Sequence, residues 1–93
     1  MIKVNFFSTF REKAGVTSIN LDLQEGCTIH QLIFLILDKL PSLRQVWLDK
    51  SGELHGHVHI GLNQVDVMAL PEGMNTVCKD NDVIDFFPPI TGG

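Results

Sequence analysis

One stretch restricts the fold more than any other. From Ile29 onward the apolar residues Ile29, Leu32, Ile33, Ile36, Leu37 and Leu40 recur at i, i+3, i+4, i+7, i+8 and i+11, one face of a helical period. Thr28 and Gln31 stand at capping-box spacing ahead of this run, and Pro41 closes it, so the sequence predicts one amphipathic helix with a defined start and stop. A helix with a single apolar face must bury it against something. Phe34 and Leu35 lie outside the stripe, making the helix greasier than one buried face requires; they widen the core contact or meet a partner.

What it packs against is legible in the rest of the chain, which reads mostly with a period of two. Ile2, Val4 and Phe6 alternate with Lys3, Asn5 and Phe7. After a change of character over residues 8–14 and a turn at Gly15, Ile19, Leu21 and Leu23 alternate with Ser18, Asn20 and Asp22, so the two runs are expected to pair antiparallel. Beyond the helix, Ser42 is placed to cap a short second helix carrying Leu43, Val46 and Trp47, and residues 49–52 read as a loop. A strand follows in which Val58, Ile60 and Leu62 alternate with His57, His59 and Gly61, and Asn63-Gln64 turns it into another over 65–68. Residues 70–73 turn again, Val77 and Cys78 offer a brief apolar contact, and residues 79–82 lead into a last strand over 83–87.

The expected fold class is therefore α+β: a mixed sheet of about five strands with one main helix on one face. At 93 residues the chain reads as a single domain over 1–93, burying roughly 60–65% of its unfolded surface. If the first and last strands lie parallel at the centre, Ile2, Val4, Phe6, Ile84 and Phe86 face the helix. Phe7 and Phe87 then fall on the far face, either as an apolar patch of the kind that marks a partner site or packed against a loop.

Charge and residue usage exclude several functions. A formal net charge of -4 with seven scattered basic residues does not suit phosphate-backbone binding, so no nucleic-acid partner is expected. The longest unbroken apolar run, residues 32–37, is far short of the roughly 18 residues of a membrane span, and Arg11, Glu12 and Lys13 interrupt any secretion signal. The expected location is the cytoplasm. The two cysteines, Cys27 and Cys78, are far apart in sequence and form no C-x-x-C; they read as small buried hydrophobes, and two thiols cannot hold an all-cysteine iron-sulfur cluster. His55, His57 and His59 are spaced to project from one strand face, but successive outward positions lie about 7 Å apart and do not converge on one metal ion, so they read as solvated or partner-facing. His30 reads as a surface residue.

The end of the sequence points to chemistry of another kind. A strand runs into Pro88-Pro89, and Ile90, Thr91, Gly92 and Gly93 come after it. A proline pair locks two φ angles and holds the residues beyond it away from the body, whereas terminal glycines by themselves suggest only a frayed end. Glycines without Cβ atoms can thread a channel too narrow for other residues, offering the α-carboxylate of Gly93 as the only functional group at the tip. The expectation is an exposed tail over 88–93 on which a partner's active site performs the reaction.

Residues 79–93, with their Phe86-Phe87-Pro88-Pro89 and closing Gly92-Gly93, resemble the C-terminal signature of the small subunit of molybdopterin synthase, the MoaD branch of the MoaD/ThiS sulfur-carrier proteins. The opening residues 4–7 and 10–15 resemble that family's first strand and loop, and residues 47–60 are similar to a subgroup containing the small archaeal modifier proteins and a bacterial carrier for cysteine synthesis. The resemblance implies a β-grasp, ubiquitin-like fold and a chain with no catalytic side chain of its own. It implies that Gly93 is adenylated by a ubiquitin-activating-type (MoeB/ThiF-like) adenylyltransferase using ATP, then converted to a thiocarboxylate, with no cofactor bound by the chain itself. Gly92, Thr91, Ile90, Pro89 and Pro88 would thread into a MoaE-like large subunit of a heterotetramer. The same tail chemistry also serves isopeptide-forming modifiers and carriers for cysteine or thiamin synthesis.

Overall fold

The two ends of the sequence meet in the middle of the sheet. In the computed structural model, which describes residues 1–89, strands β1 (Ile2–Phe6), β2 (Ser18–Leu21), β3 (His59–Leu62), β4 (Val65–Asp66) and β5 (Val83–Phe87) form one sheet of order β2-β1-β5-β3-β4. β1 and β5 are parallel, with Val4 opposite Ile84 and Phe6 opposite Phe86; the β1–β2, β3–β5 and β3–β4 pairs are antiparallel. This is the mixed, two-layer α+β arrangement expected from the periodicities. Among the described residues, none lies in a helix long and apolar enough to cross a membrane.

The covering layer is the helix the sequence marks out, α2 (Ile29–Lys39). Thr28 accepts the Gln31 backbone N–H at 3.2 Å and its own N–H donates to the Gln31 side chain at 3.0 Å, completing the capping box. Such a cap is worth about 1 kcal/mol. Ile29, Leu32, Ile33, Ile36 and Leu37 are buried against Val4, Ile84 and their neighbours, whereas Leu40 is only half-buried at the helix end. Burial of each such side chain stabilises by roughly 1.5–3 kcal/mol, which makes this face the main source of fold stability. Phe34 packs against the edge of the core and Leu35 stays exposed.

Several sequence expectations are corrected, each for a local reason. Residues 8–14 contain a helix, α1 (Thr9–Ala14), entered through Ser8 at φ 57° and closed by Gly15 at φ 76°. It has no side-chain cap and buries only Phe10, so it leaves no helical period to read. Ser42 does not cap α3 (Arg44–Trp47): Pro41–Leu43 forms a 3-10 turn, Leu43 is the cap residue, and the Ser42 hydroxyl donates to the Lys13 carbonyl at the end of α1. β3 begins at His59 rather than at His57 because residues 55–58 turn, with the Val58 N–H donating to the His55 carbonyl. β4 stops after Asp66, whose carboxylate accepts the Met68 N–H at 2.9 Å and starts a 3-10 turn over Val67–Ala69. The Asn63-Gln64 turn is as expected, with both residues at positive φ (49° and 71°).

The loop after α3 is a small closed unit. Leu48 and Leu54 form a β-bridge around a turn in which the Asp49 carboxylate accepts the Ser51 N–H and hydroxyl and the Glu53 N–H. The bonds from Ser51 first, and then Glu53, hold the Asp49 carboxyl below the usual carboxylate range. The His55 N–H donates to the Trp47 carbonyl at 2.8 Å, tying the far end of the loop back to the end of α3.

Candidate functional site

Because β1 and β5 run parallel, both present their C-terminal ends on the same side of the molecule. There the Phe7 N–H donates to the Phe86 carbonyl at 3.1 Å, and the strand residues alternate between the two sheet faces. Phe6 and Phe86 point into the helical layer and are buried. Phe7 and Phe87, by contrast, are 44% and 38% exposed among the described residues.

On the inner side the strand ends rest on an aromatic cluster. Trp47 stacks on Phe86 with ring centroids 4.5 Å apart, Phe10 meets Trp47 edge-on at 5.8 Å, and Phe6 lies 6.1 Å from Trp47 and 6.3 Å from Phe86. Offset and edge-on pairs of this kind add about 0.5–1.5 kcal/mol each beyond the area they bury. α1 and α3, the two short helices, thus supply the rings that pack around Phe86. The Trp47 indole N–H has no acceptor among the described residues.

On the outer side the arrangement is open. His59 lies opposite Phe87 across the β3–β5 pair, and its ring stacks on the phenyl at 5.6 Å and 14°. Phe7 directly follows β1 beyond the Phe6–Phe86 pair, so it lies at the same end of the sheet as Phe87 and His59. One step back along the strands the same face becomes polar: the Asn5 side-chain amide donates to Asp85 at 2.9 Å, bridging β1 and β5. Immediately beyond Phe87, Pro88 is half-buried and Pro89 exposed, neither in regular structure. The remaining tail positions singled out from sequence, Ile90, Thr91, Gly92 and Gly93, lie outside the described residues.

The histidine run does not form the strand face that its spacing suggested. Only His59 belongs to a strand, while the rings of His55 and His57 stack on each other at 4.5 Å in the preceding turn. Among the described residues there is no group of three His, Cys, Asp or Glu side chains that could hold a metal ion. His30 is exposed, as expected, with its ring 5.3 Å from that of Phe34. A cleft of about 490 Å³ lies on the helical side, lined by His30, Phe34, Leu54, Met68 and Met74 among others. Sequence reasoning located Phe7 and Phe87 but missed His59 as their neighbour, since only the β3–β5 register discloses it.

Comparison with known proteins agrees with this architecture. The chain is 30% identical to small archaeal modifier protein 3 of Haloferax volcanii, over 99% of its own length and 98% of that protein's. The solution structure of small archaeal modifier protein 1 from Methanosarcina acetivorans superposes with a TM-score of 0.83 at 32% identity, covering 99% of this chain and 95% of that one. Urm1 from Trypanosoma brucei gives a TM-score of 0.77 at 26% identity, with 99% and 94% covered. The sheet order and its helical cover are those of the β-grasp fold. A model of the ThiS family matches residues 4–93, and the chain is a member of that family of ubiquitin-like proteins.

Proposed function

We propose that the chain is a sulfur carrier whose C-terminal carboxylate, on Gly93, is the reacting group. The observation that carries this reading is the construction where β5 ends: a central strand, pinned on one side by Trp47 and open on the other at Phe7 and Phe87, runs directly into Pro88-Pro89. Such a base would hold a thin tail at a fixed exit angle while leaving its tip free to enter a partner. In the first step a Gly93 carboxylate oxygen attacks the α-phosphorus of ATP in the activating enzyme, expelling pyrophosphate. A sulfur nucleophile then displaces AMP from the acyl adenylate, and the product is a thiocarboxylate. The chain supplies the acyl group and contributes no catalytic side chain. Phe7 and Phe87 would seat the activating enzyme and, in molybdopterin synthesis, the large subunit of a heterotetrameric synthase into which residues 88–93 thread.

Similarity along the full length to the small archaeal modifier proteins favours a second use of the same adenylate, attack by a lysine amine to form an isopeptide bond. Both uses share the first step. Incubation with an adenylating enzyme of this class, ATP and a sulfide donor should replace one oxygen of Gly93 by sulfur, read as an intact-mass increase. No mass change with an enzyme shown to be active on another carrier would remove the proposal. In cell extracts, lysine-linked conjugates would identify the modifier use, whereas free protein co-purifying with a synthase large subunit would identify the molybdopterin use.

A further inference from the structure

The two cysteines, about fifty residues apart in sequence, are brought face to face by the fold. Thr28 and Val77 form an antiparallel bridge, in which the Ile29 N–H donates to the Thr76 carbonyl at 3.0 Å and the Cys78 N–H donates to the Cys27 carbonyl at 2.8 Å. One register step outward from that bridge, Cys27 stands directly opposite Cys78. Directly opposed residues of an antiparallel pair project to the same side with Cα atoms about 5.5 Å apart, inside the range of roughly 4.4–6.8 Å that a disulfide spans. Both side chains are buried and both thiols are free.

We propose that Cys27 and Cys78 are a dithiol site that closes to an intramolecular disulfide by exchange with a small neutral disulfide. The backbone favours closure, because only one of the two hydrogen bonds possible between this pair is made: the Cys27 N–H donates to Gln24 instead, at 3.2 Å. The segments are therefore tied at one point and can approach. Closure draws the two Cβ atoms from the roughly 5.5 Å of such a pair to the roughly 3.8 Å of a disulfide and turns the Cys27 thiol, which donates to the Thr28 carbonyl at 3.6 Å, toward Cys78.

Access comes from both sides of the turn formed by residues 22–26. Cys78 lines a cleft of about 530 Å³ with Leu23, Gly26 and Val77, and Cys27 lines another of about 550 Å³ with Gln31 and Leu35. Asp22 and Glu25 are the charged residues bordering the Cys27 cleft, which disfavours an anionic reagent there, while the Cys78 cleft mixes Asp22, Glu25 and Asp80 with Lys79 and the N-terminal residue, so a neutral reagent suits both. Burial raises both thiols, and it pushes Cys78 up to about 12, so Cys27 attacks first. Its thiolate breaks the reagent's S–S bond, forming a mixed disulfide and releasing one thiolate. Cys78 then displaces the second, and the two protein protons end on the two released thiols. The oxidised chain fastens the lead-in of α2 to the segment that feeds β5.

The test uses the whole reduced protein and bis(2-hydroxyethyl) disulfide. Native mass spectrometry should show the loss of two hydrogens, and peptide mapping should find the segment containing Cys27 joined to that containing Cys78. The melting temperature should rise by roughly 10 °C or more, as expected for a cross-link closing a loop of this length. Cys78→Ala should stop at the single mixed disulfide on Cys27 with no such rise. Two separate adducts on the unmutated protein, a bridge between two molecules, or no oxidation of the folded protein under conditions that oxidise it in urea would each overturn the proposal.

Discussion

At the end of β5 one strand serves two faces that are built in opposite ways. The inner face is a stack of rings in which Phe86 is held by Trp47, itself held by Phe10 and Phe6. The outer face, one residue further along, carries the exposed Phe7 and Phe87, the latter with His59 stacked on its ring. The same residue type occurs on both, so hydrophobicity alone does not separate them; coverage does. Short helices α1 and α3 cover one face, and nothing in the chain's described residues covers the other. The pleat thus divides a covered face from an open one, and the proposed recognition role falls to the open one.

The largest effect should come from breaking the inner face. Phe86→Ala is expected to cost about 3–5 kcal/mol by urea unfolding, and a cost under about 1 kcal/mol would show that the ring stack is not what holds β5. On the outer face the division predicts the reverse pattern. The double variant Phe7→Ser with Phe87→Ser should shift stability by no more than about 1 kcal/mol while weakening binding to the activating enzyme by at least about tenfold, as loss of central aromatic anchors does. Titration calorimetry would read the second quantity and thermal melting the first; unchanged binding would deprive the patch of its role.

Alkaline titration sharpens the same contrast, since it reaches a buried group of the covered layer and leaves the open patch untouched. Burial raises the Cys78 thiol from its ordinary 9.0 to about 12 in the folded state, so its contribution to stability is intact below pH 9.0 and is lost as pH climbs through about 12. Cys78→Ala should flatten the pH dependence of the melting temperature in that window. An effect smaller than that of Phe86→Ala is expected for Trp47→Phe. Shrinking the ring opens space, but it also removes an indole N–H that has no acceptor among the described residues, so the net cost should stay below about 2 kcal/mol by urea unfolding.

How much of this is legible in the sequence depends on the kind of signal. The central helix, its capping box and the alternating strands all rest on periodicity and on residue types with strong local meaning, and the structure has each of them, whereas the central pairing of β1 with β5 entered only as a condition that the sheet order fulfils. α1 escapes because a six-residue helix with Phe10 as its only buried residue has no period. Val58 and Val67 extend the strand signal past the true strand ends because they are apolar, but each is buried from a turn rather than from a ladder. At the site, Phe7 and Phe87 emerge from alternation within their own strands. His59 against Phe87, and Cys27 against Cys78, depend on which segments become neighbours, a property that no local pattern carries.

The pairing of the first strand with the last also governs when the body can exist. Asn5 and Asp85, joined by a side-chain hydrogen bond, are separated by 80 positions, so the middle of the sheet stays vacant until residues 83–87 are in place. Contacts of such long range slow folding and favour completion in one late step. A chain cut short before residue 83 would then lack the strand that joins the two halves of the sheet and would have no place to close it.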